Sequence, residues 1–291
     1  MSEFLLNLTL LRICAASRLV ELEPFCIITM EFIGKIMILT IDVGNTSTTC
    51  GLFEGEKLIL QFRKETNIHS SSDEIGIFFR TVITENGIDW KNISRVGICS
   101  VVPTVNYSLA SACSKYLNCE PLFVQAGIKT GLKLKYPNPK EIGADLISAA
   151  MGGVSLYPNT DMVIVDLGTA TTLELVSSNN EFLGGSILPG FKISVDALAT
   201  GTAKLPAVEI AKPEKVLGLT TTEAIQVGLF YGHAGAIKEI SYIYQKKVFG
   251  GKKPFILGTG GFAKVFSEYG LFDQIVPELV LLGVKRAIEL N

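Results

Sequence analysis

Two stretches of this sequence place the same residue types in the same order: Ile41-Asp42-Val43-Gly44-Asn45-Thr46 and Val165-Asp166-Leu167-Gly168-Thr169-Ala170. In each, an apolar run ends on an aspartate and a glycine follows two residues later. Hydroxyl residues come next, Ser47, Thr48 and Thr49 in the first stretch and Thr171 and Thr172 in the second. Asp, Gly and Asn are ordinary turn residues; the repetition is what points to chemistry. A strand that ends this way offers an anion unpaired backbone N–H groups and hydroxyls, and offers a cation the carboxylate. Two such strand ends facing each other would clamp a metal-bound polyphosphate. Gly44 lets the backbone approach a phosphate closely, with Asn45, Thr46 and Ser47 as hydrogen-bond donors and Asp42 acting through Mg2+, directly or through water. Asp166 would hold a cation on the opposite side while Thr169 contacts the nucleotide. The pair implies an ATP-using phosphotransferase built by duplication. No G-x-x-x-x-G-K-[ST] occurs, which excludes a Walker-A enzyme.

Two smaller constellations join them. Gly258-Thr259-Gly260-Gly261 is either a tight strand–helix connection or backbone laid against a nucleoside. Asp145, in Gly143-Ala144-Asp145, is either a helix-dipole partner or a general base within reach of an alcohol. No histidine lies in any of these sites; His69 and His233 read as isolated surface or core residues.

The elements that must position these residues alternate. Strands are expected at Met37–Asp42, Thr48–Phe53 and Lys57–Arg63, followed by a helix capped by Ser71-Ser72-Asp73-Glu74 and running to about Asn86. Arg95–Val102 reads as a buried strand, Thr104–Leu117 as a helix, Pro121–Val124 as a short strand, and Gly143 to about Tyr157 as a helix. The second half repeats the plan: strands at Met162–Asp166, Thr172–Ser177 and Glu181–Ile187, and a helix after Pro189-Gly190. A loop to Leu219, a helix from Thr221 to about Phe249, a strand at Phe255–Leu257, a helical Phe262–Glu268 and a last helix at Pro277–Leu290 complete it. This is layered α/β with mixed sheets.

Composition sets bounds. The 291 residues allow two domains. Apolar residues at 48% and charged residues at 19% fit a globular chain. A net charge of −2 with scattered Lys and Arg gives no electrostatic reason to expect nucleic acid or an anionic membrane as partner. The six cysteines form no C-x-x-C pair, so buried free thiols in a reducing cytoplasm are expected rather than a zinc site. Residues 1–36 differ from the rest: their apolar runs are far shorter than the roughly 20 residues a membrane span needs. They read as a mis-called start or a dispensable, disordered extension before a domain that begins at Met37, with a partner-binding arm as the lesser alternative.

Together these residues resemble the type III pantothenate kinases, a branch of the acetate and sugar kinase, heat-shock chaperone and actin superfamily. The agreeing marks are the two aspartate motifs, Ser100-Val101-Val102-Pro103, Tyr136-Pro137-Asn138-Pro139 leading to Gly143-Ala144-Asp145, Gly184-Gly185-Ser186-Ile187-Leu188-Pro189-Gly190, and Thr221-Thr222-Glu223-Ala224. The resemblance implies two duplicated ribonuclease H-like domains, 37–155 and 156–291, with mixed β-sheets flanked by helices and an ATP cleft between them. It implies transfer of the ATP γ-phosphate to the primary hydroxyl of pantothenate, the opening step of coenzyme A biosynthesis. Asp42, Val43, Gly44, Asn45, Thr46, Ser47, Thr48 and Thr49 would form the phosphate loop, with Thr169 also contacting ATP. Asp145 would be the proton acceptor, Asp42 would serve Mg2+, and Asp166 would coordinate a monovalent cation, K+ or NH4+. Tyr136, Gly143, Ala144, Asp145, Leu146 and Thr221 would line the pantothenate pocket of a cytoplasmic homodimer.

Two positions depart from the family pattern. Leu146 stands where the family has an arginine that can grip a carboxylate, leaving Lys133, Lys135 or Lys140 to compensate or the pocket to take another substrate. Thr220-Thr221 replaces the usual Asn-Thr. The competing readings are another small-alcohol or sugar kinase of the superfamily, or a non-catalytic ATP-binding transcription accessory factor.

Overall fold

Strand edges and caps form where the side chains dictate. The computed structural model describes residues 36–125 and 127–291; the reading of residues 1–36 as an extension falls almost wholly outside them. Strands β1 (Met37–Val43), β2 (Ser47–Glu54) and β3 (Lys57–Glu65) form an antiparallel meander. Helix α1 (Ser72–Glu85) follows, opened by a capping box. In it, Ser71 N–H donates to Glu74 Oε2 at 2.7 Å and Glu74 N–H donates to Ser71 Oγ at 3.2 Å, so each side chain accepts from the other residue's otherwise orphaned N–H. Then come β4 (Ile93–Ser100), α2 (Pro103–Leu117), β5 (Leu122–Phe123), β6 (Lys133–Leu134) and α3 (Ala144–Leu156). The second half supplies β7 (Met162–Leu167), β8 (Ala170–Val176), β9 (Glu181–Pro189), α4 (Phe191–Gly201), α5 (Thr221–Lys247), β10 (Phe255–Thr259), β11 (Gln274–Ile275) and α6 (Leu279–Leu290).

The duplication shows in the strand order. One sheet runs β3-β2-β1-β4-β5 and the other β11-β10-β7-β8-β9-β6. In both, the meander is antiparallel and the next strand, β4 or β10, lies parallel to the first strand of the meander. The second sheet gains an extra edge, β6, parallel to β9. Two-residue strands such as β6 and β11 carry no period for a sequence reading to detect.

Alternation along each strand sorts residues into layers. In β1, Met37, Leu39, Ile41 and Val43 join the core under α1 and α2. In β7, Val163, Val165 and Leu167 join a core with Phe230, Ala234 and Ile237 of α5 and Phe191 of α4. The opposite faces meet a central layer of α3 and α6, with Ile164, Met162 and Cys99 in its core. Helix α6 closes this layer by packing on β1 and β4. Because side chains alternate, Asp42 and Asp166 must both project from the faces turned toward the central layer. Among the described residues, no helix is long and apolar enough to cross a membrane.

One expectation holds only in part. The helical stretch expected at Phe262–Glu268 is a short 3-10 helix, Ala263–Phe266. Gly260 before it and Gly270 after it both take positive φ, +87° and +66°. Between them the backbone N–H groups of Ala263, Val265, Ser267 and Tyr269 donate to the carbonyls three residues back, of Gly260, Phe262, Lys264 and Phe266, the tighter 3-10 pattern.

Candidate active site

The turn after β1 is closed by Gly44 N–H donating to the Ser47 carbonyl at 3.0 Å, with Asn45 and Thr46 exposed at its tip. Thr66, just past β3, braces it. Its hydroxyl donates to the Gly44 carbonyl at 2.7 Å and lies 3.0 Å from Thr48 Oγ1, and its N–H donates to the Thr46 carbonyl at 3.1 Å. Thr48 is therefore committed to the brace, and the buried Val43 side chain leaves only its backbone for a ligand. The turn after β7 is closed by Gly168 N–H donating to the Ala170 carbonyl at 3.1 Å, with Thr169 exposed. The two turns meet: Thr46 Oγ1 and Thr169 Oγ1 are 3.2 Å apart although 123 residues separate them in sequence. The two repeats thus meet at their turns.

Below the turns lies a set of carboxylates. Burial pushes Asp166 up to about 7, with Asp145 adding to the effect. Burial likewise raises Asp42 to about 7, reinforced by Asp166 and Asp145 and opposed by a hydrogen bond from Cys99. Cys99 is the partner of Asp42 in the β1–β4 register. Asp145 stands in the first turn of α3, whose cap Gly143 offers no side chain, so the Asp145 carboxylate itself takes a helix-start N–H, that of Leu146. Burial raises Asp145, while the Leu146 N–H, donating to its Oδ1 at 2.9 Å, lowers it.

A fourth acid, Glu174 on β8, was missed by sequence reasoning. It is 2% exposed, and burial, Asp166 and Asp145 push it well above the ordinary carboxylate range. In Thr172-Leu173-Glu174-Leu175 it looks like the solvent side of an alternating strand; the weak signal was that its face is the one that carries Asp166.

The glycine cluster serves this site. Thr259 pairs with Asp166, and Gly260, at φ +87°, leaves no room for a Cβ beside Asp166 Oδ1 and the Leu167 backbone. Asp166 Oδ1 is buried with no hydrogen-bond partner. Hard oxygen donors and an orphaned carboxylate oxygen suit a cation. Among the described residues no group of three or more His, Cys, Asp or Glu could hold a metal alone, so phosphate oxygens and water would have to complete the shell.

On the acceptor side, Tyr136 is half exposed, with its ring 6.5 Å from Phe182 and against Gly184. Leu146 packs on the central core with Ala144. Lys135 pairs with Glu181 at 3.2 Å, whereas Lys133 and Lys140 are exposed. Thr221 opens α5 behind a second capping box, Thr220 with Glu223; the described hydrogen bonds tie that turn to Glu223 and Leu219 rather than to the acids. His233 is half-buried, its ring stacked on Phe191 at 4.0 Å and its nitrogens facing the Leu229 and Pro189 carbonyls. His69 lies on an exposed loop.

The chain is similar to known proteins over most of its length. The type III pantothenate kinase family profile matches residues 38–242. A protein from Legionella pneumophila (strain Corby) named type III pantothenate kinase is 48% identical over 255 residues, covering 88% of this chain and 99% of the relative. Among solved structures, a protein from Sinorhizobium meliloti described as a 2-dehydro-3-deoxygalactonokinase superposes with a TM-score of 0.57 at 11% identity, covering 87% of this chain and 96% of its own. One from Campylobacter jejuni described as a Baf family transcriptional activator gives 0.55 at 19%, covering 86% and 97%. These two likenesses establish the shared fold.

Proposed function

This chain belongs to the type III pantothenate kinase family, and we propose that it phosphorylates the primary hydroxyl of pantothenate with ATP bound between its two acidic turns. The meeting of Thr46 and Thr169 carries this reading, because it brings both phosphate-facing turns to one point. Asn45, Thr46 and Ser47 donate to the phosphates from one side and Thr169 from the other. Asp42 serves the Mg2+ that accompanies ATP, and Asp166, with its orphaned oxygen, takes a monovalent cation, K+ or NH4+. When bound there, such ions would supply neutralisation of charge on the transferring phosphoryl group.

Asp145 is the proton acceptor. Burial makes its carboxylate more basic than in water, and its place in the first turn of α3 among the other buried acids supports the role of a general base. As the hydroxyl oxygen attacks the γ-phosphorus, its proton passes to Asp145 and the bond to the ADP oxygen breaks. Gly143, Ala144, Leu146, Tyr136 and Thr221 line the pantothenate pocket. With leucine at position 146, recognition of the pantothenate carboxylate falls to Lys133 or Lys140 or to a partner subunit in a homodimer; Lys135 is held by Glu181. The buried free thiols Cys50, Cys99, Cys113 and Cys119 fit a reducing cytoplasm.

ADP release by the full chain, measured with pantothenate, glycerol and sugars as acceptors, tests the substrate: preference for a sugar overturns it. Asp145→Asn should keep ATP binding and lose about 10²–10⁴-fold in turnover. Unchanged turnover would remove Asp145 from its role.

A further inference from the structure

Glu174 is the buried acid that the mechanism above leaves unused. Its Oε1 accepts the Thr172 hydroxyl at 3.1 Å, while its Oε2 is buried without a hydrogen-bond partner. No ion pair reaches it among the described residues. The β7–β8 register fixes where it points. Asp166 pairs with Thr172 and Ile164 with Glu174, so Asp166, Thr172 and Glu174 leave the same face of the hairpin. Glu174 is thus the diagonal neighbour of Asp166, a spacing of roughly 7–8 Å that long side chains bridge. Asp166 contributes the second orphan, Oδ1. Two buried carboxylate oxygens on one face, each unpartnered and neither offset by a cationic side chain among the described residues, leave a gap in charge that those residues do not fill.

We propose that Glu174 is the second protein carboxylate of the monovalent-cation site headed by Asp166, its Oε2 and Asp166 Oδ1 taking the same ion. The inference rests on the assignment of Asp166 to that ion. Two carboxylates do not complete a coordination shell, in keeping with the absence of any three-residue metal cluster among the described residues. Backbone carbonyls, water and nucleotide oxygens supply the rest, a donor set that suits K+. Thr172 orients Glu174 by occupying Oε1, which leaves Oε2 free for the ion.

The test is a melting experiment on the full chain with Mg2+ and a non-hydrolysable ATP analogue, in which KCl replaces choline chloride at constant ionic strength. The wild-type melting temperature should climb with K+ to a plateau. Glu174→Gln should reach its own plateau only at about tenfold or higher K+, and Asp166→Asn should not climb. Glu174→Asp keeps the charge on a shorter arm, and its midpoint should fall between those of wild type and Glu174→Gln. Equal midpoints for the Asp and Gln variants would mark a packing role and overturn the proposal. Matching midpoints for wild type and Glu174→Gln, with Asp166→Asn flat, would remove Glu174 and leave Asp166 in place. A flat wild-type curve would overturn both.

Discussion

The turn after β1 is held by side chains, whereas the turn after β7 is held by backbone packed against backbone. In the first, Thr66 and Thr48 tie the Gly44 carbonyl to β3 through hydroxyl hydrogen bonds. In the second, Gly190 sits where a Cβ would strike the Thr169 and Gly168 carbonyls, and Gly260 where one would strike the Leu167 backbone. The duplicated topology has kept the aspartate and the glycine of each turn but not the scaffold around them. A hydrogen-bonded brace loosens gradually when a donor is lost; a contact without spare volume tolerates no added atom.

The largest expected effects concern the acids that both turns share. Asp42→Asn and Asp166→Asn should each lower turnover by about 10²–10³-fold, read by ADP release, through lost stabilisation of charge in the transition state. Asp166→Asn should also raise the melting temperature of the nucleotide-free protein at pH 8, because it removes a buried charge whose Oδ1 has no partner. A lower melting temperature would show that Asp166 is structurally satisfied and would break the contrast between function and stability.

Next come the glycines. Gly260→Ala and Gly190→Ala should each cost about 2–4 kcal/mol in urea unfolding, since backbone atoms that cannot swing aside stand in the way of each new methyl. An unchanged urea midpoint would mean that the second turn is as adaptable as the first. Thr66→Val should cost less, about 1 kcal/mol, and should raise the KM for ATP several-fold while kcat changes little. A collapse in kcat instead would place Thr66 in the chemistry.

The smallest effect is the pH dependence of stability without nucleotide. Asp42 and Asp166 are raised to about 7 by burial. The folded state therefore binds their protons more tightly than the unfolded chain does. Their contribution is full below the ordinary carboxylate range and is lost as pH rises through about 7. The melting temperature should decline across that window by a few degrees, and the decline should flatten in Asp166→Asn. An upward trend over the same window would contradict the burial of these acids.

Much of the fold is legible locally. The capping box at Ser71–Glu74 marks the start of α1, and the apolar run Met37–Asp42 marks β1. The twin aspartate motifs mark both turns. Other features are not local. Thr66 reads as an ordinary loop residue until β3 folds beside β1. Glu174 reads as a solvent-facing charge because neighbouring Leu173 and Leu175 already supply a buried face, and only the packing of α3 on β8 covers the other.

By itself the sequence determined the strand ends, the glycines that let backbone come close, and the three aspartates that carry the proposed chemistry, because turn propensity and side-chain alternation act over a few residues. Only the tertiary structure decided that Thr46 reaches Thr169, that Asp42 shares its environment with Asp166 and Asp145, and that Glu174 is enclosed with them. Those outcomes depend on two sheets closing around α3 and α6, and the burial that raises the carboxylates exists only once that layer has formed.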